Sequence, residues 1–459
     1  MLKLLALSLA VTASLAHAET APDFDWVMHA GGPKHDKTRC ICTDAKGDVF
    51  IAGEFSGTSD WDGRTITSTG DLDFFVAKLD PAGKVLWVRT GGGSKTDRGY
   101  GVACDAAGNC YVTGHFQSED CKFDGQALPL TGGGYDIFVG KYDPEGKLQW
   151  ITSGGGAGYD YGHGIMVSAT GDVFVTGGVV GSAAFGEQKL ERDKASHVFC
   201  ADYSSSDGAL KWVKVAEGKS SSSGHGVSVD GAGNAYVGGF SGGLGKLGGV
   251  ELTNEKGSDI LIAKFTPQGE VAWVQQGFGS PHAMIHEISA DKDGRVWACG
   301  MYKEALHLED GKVVASRGDN DLLLTCIDPA GKRVWTVAGG GPKTDYGLGV
   351  VGDGRGGCVL TGEISDTAEI LGQSLTSRGA TDIYVAGIDG AGKLRWLKQA
   401  GGPQSDSAYT IAQDASGNLF FSGAISATAA FDAITVTTAG AGDVYVAKLK
   451  APATPSSAK

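Results

Sequence analysis

The stretch DPAGKVLWVRTGGGSKTD, Asp80 to Asp97, recurs along this chain, and its tryptophan sets a register. Equivalent tryptophans stand at Trp26, Trp87, Trp150, Trp212, Trp273, Trp335 and Trp396, separated by 61, 63, 62, 61, 62 and 61 residues. Only Trp61 and Trp297 fall outside it. A period of this length marks a unit that cannot bury its own apolar face and must stack on its neighbours.

Each unit reads as four short strands. The first is RCICT (Arg39 to Thr43), with copies at Tyr100, His163, His225 and His286. A tight turn follows, DAKGD at Asp44, DAAGN at Asp105 and DGAGN at Asp230. An Asp that opens the turn and a Gly at the positive-φ position suit a short antiparallel connection. Strand two, VFIAG, ends at Gly53, and a long connection carrying a minor pattern (FDGQALPLTGG from Phe123 in the second unit) leads to strand three, DFFVAKLD from Asp73. The turn DPAGK then delivers the tryptophan strand.

Four antiparallel strands in each of seven units, without an amphipathic helix, predict an all-β fold: a seven-bladed β-propeller of four-stranded blades. The last unit stops at Leu449 without a tryptophan strand, and the Trp26 strand lacks the strands that should precede it. The N-terminal strand is therefore expected to complete the last blade, which leaves no sheet edge unpaired. The propeller then spans 26–450, with units starting near 26, 87, 150, 212, 273, 335 and 396, preceded by a short lead-in at 19–25. Residues 451–459, rich in Ala, Pro and Ser, read as a disordered tail.

Residues 1–18, MLKLLALSLAVTASLAHA, combine Lys3, an apolar run and the small-x-small site Ala16-His17-Ala18, the pattern of a cleaved secretory signal peptide. The expectation is an exported chain, periplasmic or extracellular, without membrane insertion. Formal charge is −14, from 39 basic and 53 acidic residues, which argues against nucleic acid as a partner. The 75 glycines punctuate turns and show no three-residue period. Nine cysteines leave at least one thiol unpaired within the chain. Cys104 and Cys110 bracket a hairpin turn and are the candidate disulfide, while Cys110 and Cys358 occupy one repeat position as small core hydrophobes.

The combined motif, a tryptophan strand, a GG…D loop, a D..GN turn, vyvtG and D.fvaKld, resembles the bacterial SBBP (seven-bladed β-propeller) repeat family. The resemblance covers Trp26 to Lys450. It implies an exported or surface-associated propeller and carries no catalytic residues. Three positions depart from the pattern: His197 replaces the strand-three Asp, and Ser222 and Ala283 replace the loop Asp.

Of the four connections in each unit, those between strands one and two and between strands three and four are minimal, so the two long ones emerge on one face. That face is the candidate binding surface. Thirteen residues after each tryptophan, strand one begins with Arg39, Tyr100, His163, His225, His286, Leu348 and Tyr409. Histidines on three consecutive blades form a candidate three-imidazole metal site with an open coordination position. The alternative at the same residues is interblade packing, each imidazole donating to a backbone carbonyl. Ten residues after the tryptophan lie Asp36, Asp97, Asp160, Asp345 and Asp406, either a carboxylate ring on the ligand face or a repeated turn. No serine-nucleophile motif, phosphate loop or HExxH string is present.

The sequence thus points to an exported non-catalytic propeller that binds a protein or small ligand, with no cofactor required. A metal-dependent lactonase or lyase using His163, His225 and His286, with a divalent ion, is the alternative. A quinoprotein-like dehydrogenase ranks below it, because DPAGKVLW only faintly resembles the tryptophan-docking motif of those propellers and no Cys-Cys pair is present.

Overall fold

The computed structural model describes residues 19–253, 257–280 and 282–451. The signal-peptide stretch and residues 452–459 of the tail lie outside them. The described residues contain no helix, and none that could cross a membrane. Seven of their antiparallel sheets share one four-strand order, five of them with four strands and two extended to six by a hairpin. In the first, Lys37–Thr43 pairs with Val49–Phe55, then Asp73–Leu79, then Val85–Gly92. In the seventh, Ser407–Gln413, Leu419–Ile425 and Asp443–Leu449 are followed by Phe24–Ala30 from the other end of the chain, with Met28 opposite Val446. The innermost strand of each sheet packs against that of the next, and Ser407–Gln413 packs against Lys37–Thr43. The protein is a β-propeller.

The repeated tryptophan and the repeated turn glycine are two halves of one contact. Trp87 Nε1 donates to the Pro144 carbonyl of the following blade at 3.0 Å, and its indole lies flat on Gly146. A Cβ at Gly146, where φ is 79°, would stand 2.7 Å from that ring. Trp26, Trp150, Trp212, Trp273 and Trp335 repeat the bond, to Pro81, Ser205, Pro267, Pro329 and Gly390. Aromatic burial at such a seam contributes on the order of 2–3 kcal/mol each. Trp396 is the exception. The blade after it has no turn between its third and fourth strands, because the chain ends meet there. Its Nε1 is buried without a partner among the described residues, and its indole is only 2% exposed. Gly387 makes room for it, standing where other units carry Lys78, Lys141, Lys264 and Lys448.

Each long connection after strand two folds into a hairpin, such as Thr58–Trp61 with Arg64–Thr67. Its tip, Asp62-Gly63, has both residues at positive φ (55° and 79°), as a tight two-residue turn matched to strand twist demands. The hairpins hang on the outer strand of the preceding blade, through Gly31 with Asp60, Gly92 with Lys122, Gly154 with Phe185 and Gly401 with Ala430. The long connections are consequently bracing elements, and the expected loop-rich face is reduced to the mouth of the central channel.

The loop aspartates are bracing elements as well, which corrects their placement on a ligand face. Asp36, Asp97, Asp160, Asp345 and Asp406 are fully buried. Asp97 accepts the N–H groups of Gly93 (2.8 Å) and Gln117 (2.9 Å), tying the loop before strand one to the end of strand two. Gly156 with Val180, Gly341 with Ser365 and Gly402 with Ser426 bind the other aspartates in the same way. Where the fifth unit has Ala283, the Ser280 hydroxyl takes over, bonded to His282 N and Lys303 N. In the third unit His197 lies 2.8 Å from Asp193, so the carboxylate has moved four residues along the chain.

Candidate functional site

Every innermost strand breaks register once. The breaks fall between Thr38 and Cys40, Gly99 and Gly101, Gly162 and Gly164, Gly224 and Gly226, Ile285 and Glu287, Gly347 and Gly349, and Ala408 and Thr410. The residues passed over are Arg39, Tyr100, His163, His225, His286, Leu348 and Tyr409. A bulge leaves one residue out of the ladder and re-aims its side chain. Here all seven line a central cavity of about 440 Å³, whose wall continues through Ile41, Val102, Ile165, Val227, Ile288, Val350 and Ile411.

The three histidines do not converge on a metal. The His163 and His225 rings stack at 4.7 Å and 14°, and His225 and His286 lie 5.9 Å apart at 45°. Ring nitrogens aim their lone pairs within the ring plane, so nearly parallel rings at this spacing cannot share an ion that needs N–metal distances of about 2.0–2.1 Å. Among the described residues no group of three His, Cys, Asp or Glu could hold a metal. The cause is the geometry of the ring of blades. The bulged side chains pack one on the next from blade to blade, Arg39 on Tyr100, Tyr100 on His163 and His163 on His225, and His163 Nδ1 donates to the His225 carbonyl at 3.1 Å. That bond fixes the proton on Nδ1 of the neutral ring.

Burial holds all three imidazoles neutral, with His163 well below its ordinary value, His225 pushed down to about 4 and His286 to about 3. His225, whose unfolded value is near 6.5, therefore adds stability that is complete above that pH and lost as pH falls towards 4, by up to about 1.4 kcal/mol per pH unit. Its Nδ1 has no partner among the described residues, so phenylalanine can replace it without breaking a bond there. His225→Phe is expected to gain on the wild type as pH drops from 6.5 to 4.5, in melting temperatures measured side by side. Parallel curves would refute the buried neutral ring.

All nine cysteines are free thiols, so the candidate Cys104–Cys110 disulfide is not formed. The two are opposed in register, but Cys110 is packed into the core between the first and second blades, and the Cys104 and Cys42 thiols of neighbouring blades are hydrogen-bonded to each other. Cys358 is fully buried in the equivalent core position.

Above the ring, at the channel mouth on the face of the long connections, lie side chains that position thirteen did not reveal. Arg39 donates from Nε and Nη2 to Glu54, at 3.0 and 2.7 Å, and its guanidinium sits 4.9 Å from the centre of the Tyr100 ring. Lys37, opposite Glu54, places its Nζ 4.0 Å over the Tyr409 ring, and burial together with Arg39 pushes its ammonium down to about 8. Ser407 donates to Glu363. Arg98 lies opposite His115, and its Nε is buried without a partner among the described residues. His115 is held near 3 by burial, Arg98 and Arg39, and stacks on Tyr135 at 4.5 Å. These positions follow recurring residues directly: Lys37 and Arg98 after the loop Asp, Glu54, His115 and Glu363 after the strand-two Gly. A comparison of charge at those two repeat positions would have found them.

No family model matches the sequence, and no curated protein is similar to it in sequence. Solved structures with a similar arrangement include the quinohemoprotein alcohol dehydrogenase of Comamonas testosteroni (11% identity, 93% of this chain and 77% of that one, TM-score 0.41). Others are BamB of Moraxella catarrhalis (10% identity, 92% and 99%, TM-score 0.34) and a gluconolactonase of Xanthomonas campestris (10% identity, 92% and 97%, TM-score 0.34). At this level of similarity neither a reaction nor a ligand transfers to this chain.

Proposed function

We propose that this β-propeller is an exported binding module that takes an anionic group, a carboxylate or phosphate on a small ligand or partner, at the mouth of its channel. One observation carries the reading. In a chain of formal charge −14, Lys37, Arg39 and Arg98 of two adjacent blades gather around Glu54 and Glu363, and the buried Nε of Arg98 has no partner among the described residues. A cation excess inside a partly enclosed mouth attracts anions more strongly than the same charges on an open surface, and guanidinium donors pair with carboxylate and phosphate. The aromatic rings of Tyr100, His115 and Tyr135 form a wall beside those cations. Export rests on the Lys3, apolar run and Ala16-His17-Ala18 pattern.

The test is calorimetric titration of residues 19–459 with phosphate, benzoate and, as a neutral control, benzyl alcohol. At least one anion is expected to bind, more weakly as salt rises, and Arg98→Leu to lose at least about tenfold in affinity. Binding of neither anion, or equal binding by the folded variant, would end this proposal.

A further inference from the structure

Below the ring, the cavity holds one group that the mouth does not use. Residues directly after the bulge are Cys40, Gly101, Gly164, Gly226, Gly349 and Thr410 in six blades, and Glu287 in the fifth. Space for that side chain comes from a glycine in the preceding blade, since a Cβ on Gly226 would lie 2.5 Å from Glu287 Oε1. Oε1 accepts the N–H of Ile288 at 2.9 Å. Of the charged residues lining the cavity, Arg39 is neutralised by Glu54, and the histidines are uncharged. Among the described residues lining the cavity, Glu287 is left as the one acidic group without a counter-charge. Around it are the aliphatic wall and the Ser228 and Ser289 hydroxyl oxygens, which accept Ala290 N and Gly352 N at 2.9 and 3.1 Å and retain further hydrogen-bonding capacity.

We propose that this cavity binds a small organic cation, an ammonium group on a short aliphatic body, with Glu287 as its counter-ion. A volume of about 440 Å³ falls within the range of small-molecule sites. A buried charge needs a partner, and a bound ammonium would give an ionised carboxylate there the partner that the surrounding residues do not. The proposal goes beyond the anion reading of the mouth and does not depend on it.

The pH dependence follows from the same placement. Burial pushes Glu287 up to about 7 in the empty cavity. The titratable groups facing it are Cys40 across the channel and Cys299 on the neighbouring strand, both pushed up by burial and by Glu287, and His225 and His286, both pushed down. None of them changes charge between pH 6 and 8. A bound cation favours the ionised carboxylate, so affinity should rise about tenfold from pH 6 to pH 8, and binding near pH 7 should release about half a proton per site.

The experiment is calorimetry on residues 19–459 with n-butylammonium, and with butyrate and 1-butanol as controls. Buffers of different ionisation enthalpy would count the proton released by the wild-type chain. Butylammonium is expected to bind and the controls not to, and Glu287→Gln to lose at least tenfold in affinity together with the pH dependence. The proton count needs no variant, so a misfolded Glu287→Gln would not shield the proposal. No butylammonium binding, binding without proton release, or preference for butyrate would overturn it.

Discussion

Replacing Trp87 by alanine is expected to destabilise the propeller by about 3–5 kcal/mol, the range for deleting a large buried aromatic. The loss falls on two blades at once. The indole is 7% exposed, lies on Gly146 of the second blade, touches Phe50 and Tyr142, and donates to Pro144. Phenylalanine separates the contributions. In Trp87→Phe both the hydrogen bond, worth about 0.5–1.5 kcal/mol net, and part of the packing are lost. In Trp396→Phe there is no bond to lose, and an unsatisfied buried N–H, which itself costs about 1–3 kcal/mol, is removed. Denaturant midpoints should therefore rank Trp396→Phe well above Trp87→Phe. Equal losses would mean that the interblade bond is energetically silent.

A larger loss is expected when the Phe24–Ala30 strand is removed, leaving a chain that begins at Gly31. Phe24 and Ala30 are core residues of two different interblade clusters, and Trp26 packs on the first blade. At about 1.5–3 kcal/mol for each large buried side chain, the change approaches the 5–15 kcal/mol that holds a typical domain folded. The strand also caps Asp443–Leu449, whose N–H and C=O groups would become a free edge open to pairing with another chain. The shortened chain should melt far earlier and run as oligomers in size-exclusion chromatography with light scattering. A monomer of nearly unchanged melting temperature would show that the seventh sheet does not need its fourth strand.

The period was legible because the contact that joins blades uses residues with no substitutes. An indole needs a glycine to lie on, and that glycine sits at positive φ, so both recur in sequence. The bulges were not legible. Any residue can be the one passed over, and Arg39, Tyr100, His163 and Leu348 share no chemistry, so position thirteen identified the channel ring but not the direction of its side chains. Stacking of His163 on His225 follows from that direction, and the metal reading failed for the same reason. The aspartates left two readings open for a different reason. A carboxylate that accepts two backbone N–H groups looks the same in sequence as one that faces a ligand, and only the complete burial of Asp36 and Asp97 separates the two. Glu287 was visible in the string HEISA as a departure from glycine, yet its meaning depended on Gly226 leaving space across the blade boundary.

The seam in the seventh blade also bears on how this chain could be re-cut. Lys450 N bonds to Asp23 O at 3.1 Å, so the outgoing and incoming strands already lie side by side with only their connecting turn missing. A DPAGK-type linker across that gap would supply a seventh carbonyl and glycine, giving the stranded indole of Trp396 the platform its six counterparts have. New ends could then be opened in any of the other six turns. The molecule is in this sense one of seven equivalent circular permutants, each of which leaves the tryptophan facing its break without a hydrogen bond, and here that tryptophan is Trp396.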